Sequence, residues 1–215
     1  MVSPPVHRPF IVTMILTALK AATSELHARV ELAMPSLDAL ATVRGYTDAI
    51  RLLHRFHAEW EPAIWSFAGV QETGLVAHDR RKLPLLTHDL RALPADLAPR
   101  APASAAPLLH DAGMALGALY VLEGASLGGR VIERRVAPVL GTVAARAGTY
   151  FHGYGSRTGT MWQAFGVAVA EYATRHDADD EIIHGAVVCF GALEQWLLTP
   201  DVLGAVRPQL IARHG

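Results

Sequence analysis

Leu19 to Glu31, reading LKAATSELHARVE, is the stretch whose reading decides the fold. At about 100° per residue, Lys20, His27 and Glu31 fall on nearly one line, with Thr23 and Ser24 flanking it. Leu16, Leu19, Leu26 and Val30 lie mostly to one side of that line. The pattern is that of an amphipathic helix. His27 runs along the edge of its apolar face, between a cation and a carboxylate. An imidazole so placed suits coordination of a flat, hydrophobic, dianionic ligand. The same stretch also reads as a plain helix-surface histidine with i,i+4 partners, and both readings stand at this point.

Working outward, helical spacing dominates the whole chain. Apolar residues recur at three and four, and strand-like alternation is nearly absent, so an all-α fold is expected. Helices are expected at about 11–30, 36–40, 43–67, 78–92, 108–140, 158–176 and 179–198. Pro35 ends the first helix and Ser36 caps the next piece. Thr42 is placed to cap the helix opening at Val43. Leu93 to Pro107 is Pro- and Ala-rich and reads as a surface connection. Gly148 to Gly159, GTYFHGYGSRTG, reads as an ordered loop, too Gly-rich for a helix. Asp177 to Asp180 suits the first turn of the last long helix. No repeat, heptad run or low-complexity boundary divides the chain, so residues 1–215 are expected to form one domain with a core of about 12–198.

Composition narrows the function classes. The chain has 215 residues, 51% hydrophobic, with a formal net charge of −1, so a folded core is expected and disorder is not. No basic excess attracts nucleic acid. The single cysteine, Cys189, excludes an internal disulfide framework and a cysteine-rich zinc site. That usage fits a reducing compartment. The N-terminus has no basic segment before its short apolar run and is not read as a signal peptide. No charge-free apolar run reaches about 18 residues, so no membrane span is expected. A cytoplasmic location is expected.

A second stretch, Leu116 to Ile132, reads LGALYVLEGASLGGRVI. It is apolar enough for a buried helix, yet holds Gly117, Gly124, Gly128 and Gly129, with Gly113 just upstream. Each mid-helix glycine costs roughly 0.5–1 kcal/mol relative to alanine. Gly124 and Gly128 are four apart and share a face. A bare backbone there lets a flat ligand and a diatomic gas lie close, and makes a kink expected. Close helix–helix packing through small residues is the other account.

Together the two stretches resemble a known family. LKAATSELHARVE resembles the first-helix signature of the heme oxygenases, and YVLEGASLGGRVI resembles their glycine-bearing distal helix. TYFHGYGSRTGTMWQAF resembles the loop and helix of the bacterial branch associated with bacteriophytochromes. CFGALEQWL resembles the last core helix. The resemblance implies a single-domain, all-α heme oxygenase-like fold, with heme between the first helix and a kinked distal helix. It implies that heme, as substrate and cofactor, is converted by O2 and reducing equivalents to biliverdin, Fe2+ and CO. His27 then corresponds to the proximal iron ligand, Lys20 to a propionate partner and Glu31 to an acid near the histidine. Gly124 and Gly128 correspond to the glycines that leave room for O2. Thr23 and Leu127 are expected at the heme as well. An external electron donor, such as a ferredoxin or small reductant, and a bacteriophytochrome receiving biliverdin are the implied partners.

The chain departs from the family pattern in two respects. Ala125 stands where many members have an aspartate anchoring distal waters, so backbone carbonyls at the glycine kink are the expected substitutes. Gln163 and Val167 stand where basic residues often meet the propionates, so Tyr154, Ser156 and Arg157 in the loop are the nearest replacements. The chemistry otherwise fits the residues. A neutral imidazole ligates one heme face and leaves the other open. Glu31 orients it directly or through water. A close apolar backbone around Gly124, Leu127 and Gly128 directs oxygen toward one meso carbon.

Ala125 also keeps alive a non-degrading heme carrier or sensor of the same fold. A di-iron carboxylate bundle is a third reading, because Glu181 and His184 have the Glu-x-x-His spacing, but no second such motif is present. His54, His57 and Glu59 are spaced as a weak metal motif. His78, His88, His110, His152, His176 and His214 fall near helix ends or loops. Trp60, Trp65, Trp162 and Trp196 read as packing residues, and Cys189 as a small buried hydrophobe.

Overall fold

The computed structural model describes residues 8–93 and 107–199, with side chains from Val12 onward. Most of the expected connection at 93–107 and the N-terminal run therefore lie outside the described residues, as does His214. Within them the chain is helical and contains no strand. The elements are α1 (Arg8–Ala33), α2 (Leu37–Leu40), α3 (Val43–Trp65), α4 (Ala68–Gln71), α5 (Ala77–Arg80), α6 (Leu83–Ala92), α7 (Ala112–Leu140), α8 (Thr142–Ala147), α9 (Thr149–His152), a 3-10 turn (Gly155–Arg157), α10 (Thr158–His176) and α11 (Asp179–Leu198).

Local chemistry sets most boundaries. The Ser36 side chain accepts from the Ala39 amide, and Thr42 Oγ1 accepts from the Gly45 amide, so both expected caps form. Asp111 accepts from the Met114 amide at 2.8 Å, which starts α7 at Ala112 instead of 108. Asp179, Asp180 and Glu181 occupy the first turn of α11, as the acidic run implied.

Two expectations are corrected. The helix expected over 78–92 is two helices, α5 and α6. Glu61 of α3 accepts from the amides of Lys82 at 2.7 Å and Leu83 at 3.1 Å, capping α6 from across the fold. Pro84 sits in that first turn, where its missing N–H costs nothing. The loop expected over 148–159 contains a helical turn, α9, and the 3-10 turn. Asp89 of α6 accepts from the amides of Thr149 and Tyr150 and from the Thr149 hydroxyl, holding the start of α9.

The centre of the bundle is the contact between α7 and α11, and α11 also packs along α1. A Cβ on Gly117 would run into the Ile182 and Ala186 backbone, and one on Gly185 into the Met114 backbone. Two glycines thus let the helices touch main chain to main chain. By length and composition α7 and α11 are also apolar enough to cross a membrane. Here they spend much of that apolar surface on each other and on the core. Trp60, Trp65, Trp196 and Cys189 are buried and Trp162 is half-buried, all as packing residues.

Candidate functional site

α11 packs on both α7 and α1, which make little contact with each other, so the three helices define a candidate cleft with α11 as its floor and α1 and α7 as its walls. The walls meet near Thr23 of α1, which is buried, and Tyr120 of α7. Burial raises the Tyr120 phenol above its usual range, and a hydrogen bond with Thr23 opposes the shift. The Thr23 hydroxyl also donates to the Leu19 carbonyl at 2.7 Å, so this side chain is committed at the base of the wall.

Farther along both helices the environment changes. The His27 side chain is 56% exposed, and its Nδ1 lies 3.5 Å from Glu31 Oε1. The imidazole edge rests on Phe190 of α11, with ring centroids 5.7 Å apart. Phe190 thus limits the ring on the floor side, and Nδ1 faces Glu31. Glu31 thus occupies Nδ1, and Nε2 is the ring nitrogen on the opposite side from that partner. On the α7 wall, a Cβ at Gly124 or Gly128 would meet nothing within 4 Å. Leu127 is exposed between them.

The glycines of α7 therefore divide by function. Gly117 serves close packing against α11, whereas Gly124 and Gly128 face open space. Gly117→Ala is expected to destabilise the fold by about 1–3 kcal/mol, through backbone displacement. Gly124→Ala is expected to leave stability unchanged or raise it by roughly 0.5–1 kcal/mol, the helix-propensity difference. Urea unfolding of the two apoprotein variants measures both. Equal destabilisation would mean that Gly124 is also a packing glycine.

Lys20 is exposed on α1, and Ser156 and Arg157 are exposed on the 3-10 turn. Tyr154 is placed differently from the expected propionate partner. Its hydroxyl donates to Glu123 Oε1 at 2.6 Å and accepts from Lys82 Nζ at 2.5 Å. Burial, followed by the adjacent Glu123 carboxylate, pushes its phenol far above the usual tyrosine range.

That contact exposes a buried polar cluster behind α7, which sequence spacing did not reveal. Glu123 Oε2 accepts from Arg80 at 3.0 Å, and Glu123 Oε1 lies 3.4 Å from Lys82 Nζ. All three side chains are at most 4% exposed. Burial pulls the Lys82 ammonium below its usual range, although Glu123 opposes the shift. A second buried pair stands beside it. His57 Nδ1 lies 2.8 Å from Glu61, and His57 Nε2 lies 3.3 Å from the Tyr150 hydroxyl. His57 is thus a structural histidine paired with Glu61, and His54 meets Thr87. Among the described residues no group of three or more His, Cys, Asp or Glu side chains could hold a metal ion. Glu181 and His184 accordingly gather no di-iron ligand set there.

The fold and cleft define an all-α bundle that presents an exposed imidazole on one wall and bare helix backbone on the other. The heme oxygenase family model matches residues 13–199. The chain belongs to the heme oxygenase family. A heme oxygenase from Xanthomonas campestris pv. campestris (strain 8004) is 38% identical over 91 residues, covering 41% of this chain and 51% of that protein. The chain thus spans about half the length of the curated relative it matches. The NO- and CO-bound heme oxygenase from Neisseria meningitidis superposes with a TM-score of 0.66 at 19% identity. That likeness covers 90% of this chain and 94% of the other, and it is a likeness of fold.

Proposed function

We propose that the protein is a heme oxygenase that binds heme in the α1–α7 cleft and opens it to biliverdin, Fe2+ and CO. One observation carries the reading. An exposed imidazole with a carboxylate partner stands on one wall, and the other wall offers two glycines with open space in place of side chains. That arrangement fits a flat ligand held from one side only. Heme supplies the redox chemistry, with O2 and electrons from an external donor. His27 holds the iron, and Glu31 orients the imidazole. Gly124, Leu127 and Gly128 line the opposite face, where the missing side chains leave room for O2 and keep acid–base groups away. Lys20 grips a propionate, and Ser156 and Arg157, exposed on the 3-10 turn, are the remaining polar candidates for the second. A ferredoxin or a small reductant is the proposed donor. The resemblance of the 149–165 stretch to the phytochrome-associated branch supports delivery of biliverdin to a bacteriophytochrome in the cytoplasm.

The deciding experiment loads the protein with hemin and adds a reductant in air. Loss of the Soret band with formation of a green product supports the enzyme. A stable oxy complex supports a non-degrading carrier or sensor, the reading that Ala125 favours by removing a distal carboxylate.

Lys20 gives a more selective check. The propionates are the charged handles of a nearly symmetric disc, so whatever grips them fixes its in-plane rotation. An exposed ion pair contributes on the order of 1 kcal/mol. About 1.4 kcal/mol already makes a tenfold population ratio. Lys20→Glu is therefore expected to yield mixed biliverdin isomers where the parent yields mainly one. Chromatography of the product reads the ratio, and an unchanged ratio would assign the grip to Arg157 or to cleft shape.

A further inference from the structure

Behind α7, one turn of chain touches the helix at successive points. Glu123 accepts from Tyr154 at 2.6 Å. Ser126 lies beside Gly153, whose Cβ position is 3.9 Å from Ser126 Cβ. Arg130 donates to the Gly155 carbonyl at 2.6 Å. Glu133 meets His152 at 2.7 Å. Gly129 lets the Phe151 backbone approach, its Cβ position being 3.2 Å from the Phe151 oxygen.

Glu123, Ser126, Arg130 and Glu133 recur at helical spacing and form one stripe. At about 100° per residue, the centre of that stripe lies roughly 160° from the direction shared by Gly124 and Gly128. The contacts are thus on the back of the segment whose front is bare. The turn's sequence explains how it reaches the helix. Gly153 and Gly155 both have left-handed φ, at 54° and 58°, and Tyr154 between them is aimed at Glu123. Lys82 completes the anchor. Its ammonium donates to the Tyr154 hydroxyl and lies 3.8 Å from the ring centroid.

We propose that Tyr154 is a positioning residue: it clasps the 149–157 turn to the back of α7 and holds the bare glycine segment in place. The segment from Gly124 to Gly128 has no front-face packing at either glycine to hold it. Its position is set from behind. The inference rests on the proposed function only for what the glycine face meets, since the clasp itself is made entirely by this chain.

Tyr154→Phe tests it, because phenylalanine keeps the ring over Lys82 and removes both hydroxyl bonds. Amide hydrogen exchange is measured on the heme-free protein, comparing 124–130 with 112–119 at the other end of α7. Exchange is expected to rise about tenfold in 124–130 and to stay unchanged in 112–119, with Tm within about 3 °C of the parent. Hemin release to a scavenger protein is expected to accelerate severalfold. Equal exchange in both proteins, or a uniform rise along α7, would overturn the proposal. The exchange result decides it even if the protein fails to bind hemin, an outcome that would defeat the functional reading alone.

Discussion

His27→Ala should abolish heme turnover while leaving the heme-free protein folded. The side chain is 56% exposed and makes its contacts with Glu31 and the edge of Phe190. Its removal from the apoprotein is therefore a surface change, expected within about 0.5 kcal/mol of neutral. The effect on the loaded protein is of another size. If His27 is the ligand proposed above, its removal would leave the iron without that protein ligand, and the spectrum should shift accordingly. The loss of activity should exceed the roughly 10- to 100-fold typical when only a ligand's hydrogen-bond partner is removed. Glu31→Gln supplies that smaller loss as an internal comparison, because Glu31 lies 3.5 Å from Nδ1 and is itself exposed. Added imidazole should restore part of the parent spectrum to His27→Ala by entering the vacated space. Native ligation and full turnover in the mutant would show that the iron is held elsewhere.

The parts of this molecule legible in the sequence are those governed by local rules. Helical periodicity identified the all-α fold, and short-range capping by Ser36 and Thr42 is confirmed by the hydrogen bonds at those positions. The imidazole–carboxylate pair of His27 and Glu31 followed from i,i+4 spacing. The misreadings of α6 and α9 share a different cause. α6 and α9 both begin where a carboxylate from a distant part of the chain accepts their first amides, Glu61 in one case and Asp89 in the other. Caps supplied across the fold leave no signature at the helix they start. The roles of the α7 glycines were equally out of reach. Gly117 and Gly124 are both glycines on an apolar helix, and they differ only in whether another backbone lies against them. Tyr154 was singled out for the right loop, but Glu123, Arg80 and Lys82 come from three helices or their ends and no spacing links them.

Glu123→Ala should be the most destabilising single change in that cluster. It strips the carboxylate from two cations that are at most 4% exposed and leaves the Tyr154 hydroxyl without its acceptor. Arg80 would keep the Met161 carbonyl and Lys82 the Arg80 carbonyl, neither of which carries a countercharge. Breaking a buried pair from one side typically costs about 3–5 kcal/mol. A domain of this size has a total stability of roughly 5–15 kcal/mol, so Tm should fall by about 10 °C. Removing every charge at once has a different consequence. Arg80→Met, Lys82→Met and Glu123→Leu combined should recover most of that Tm, because desolvation opposes the attraction among the parent charges. The triple variant still lacks the Glu123–Tyr154 bond, so exchange in 124–130 should remain fast despite the recovered Tm. Calorimetry and amide exchange on the same samples separate the two effects. A fall of less than about 2 °C in Glu123→Ala would mean that water reaches Arg80 and Lys82 and that the carboxylate is not their essential countercharge.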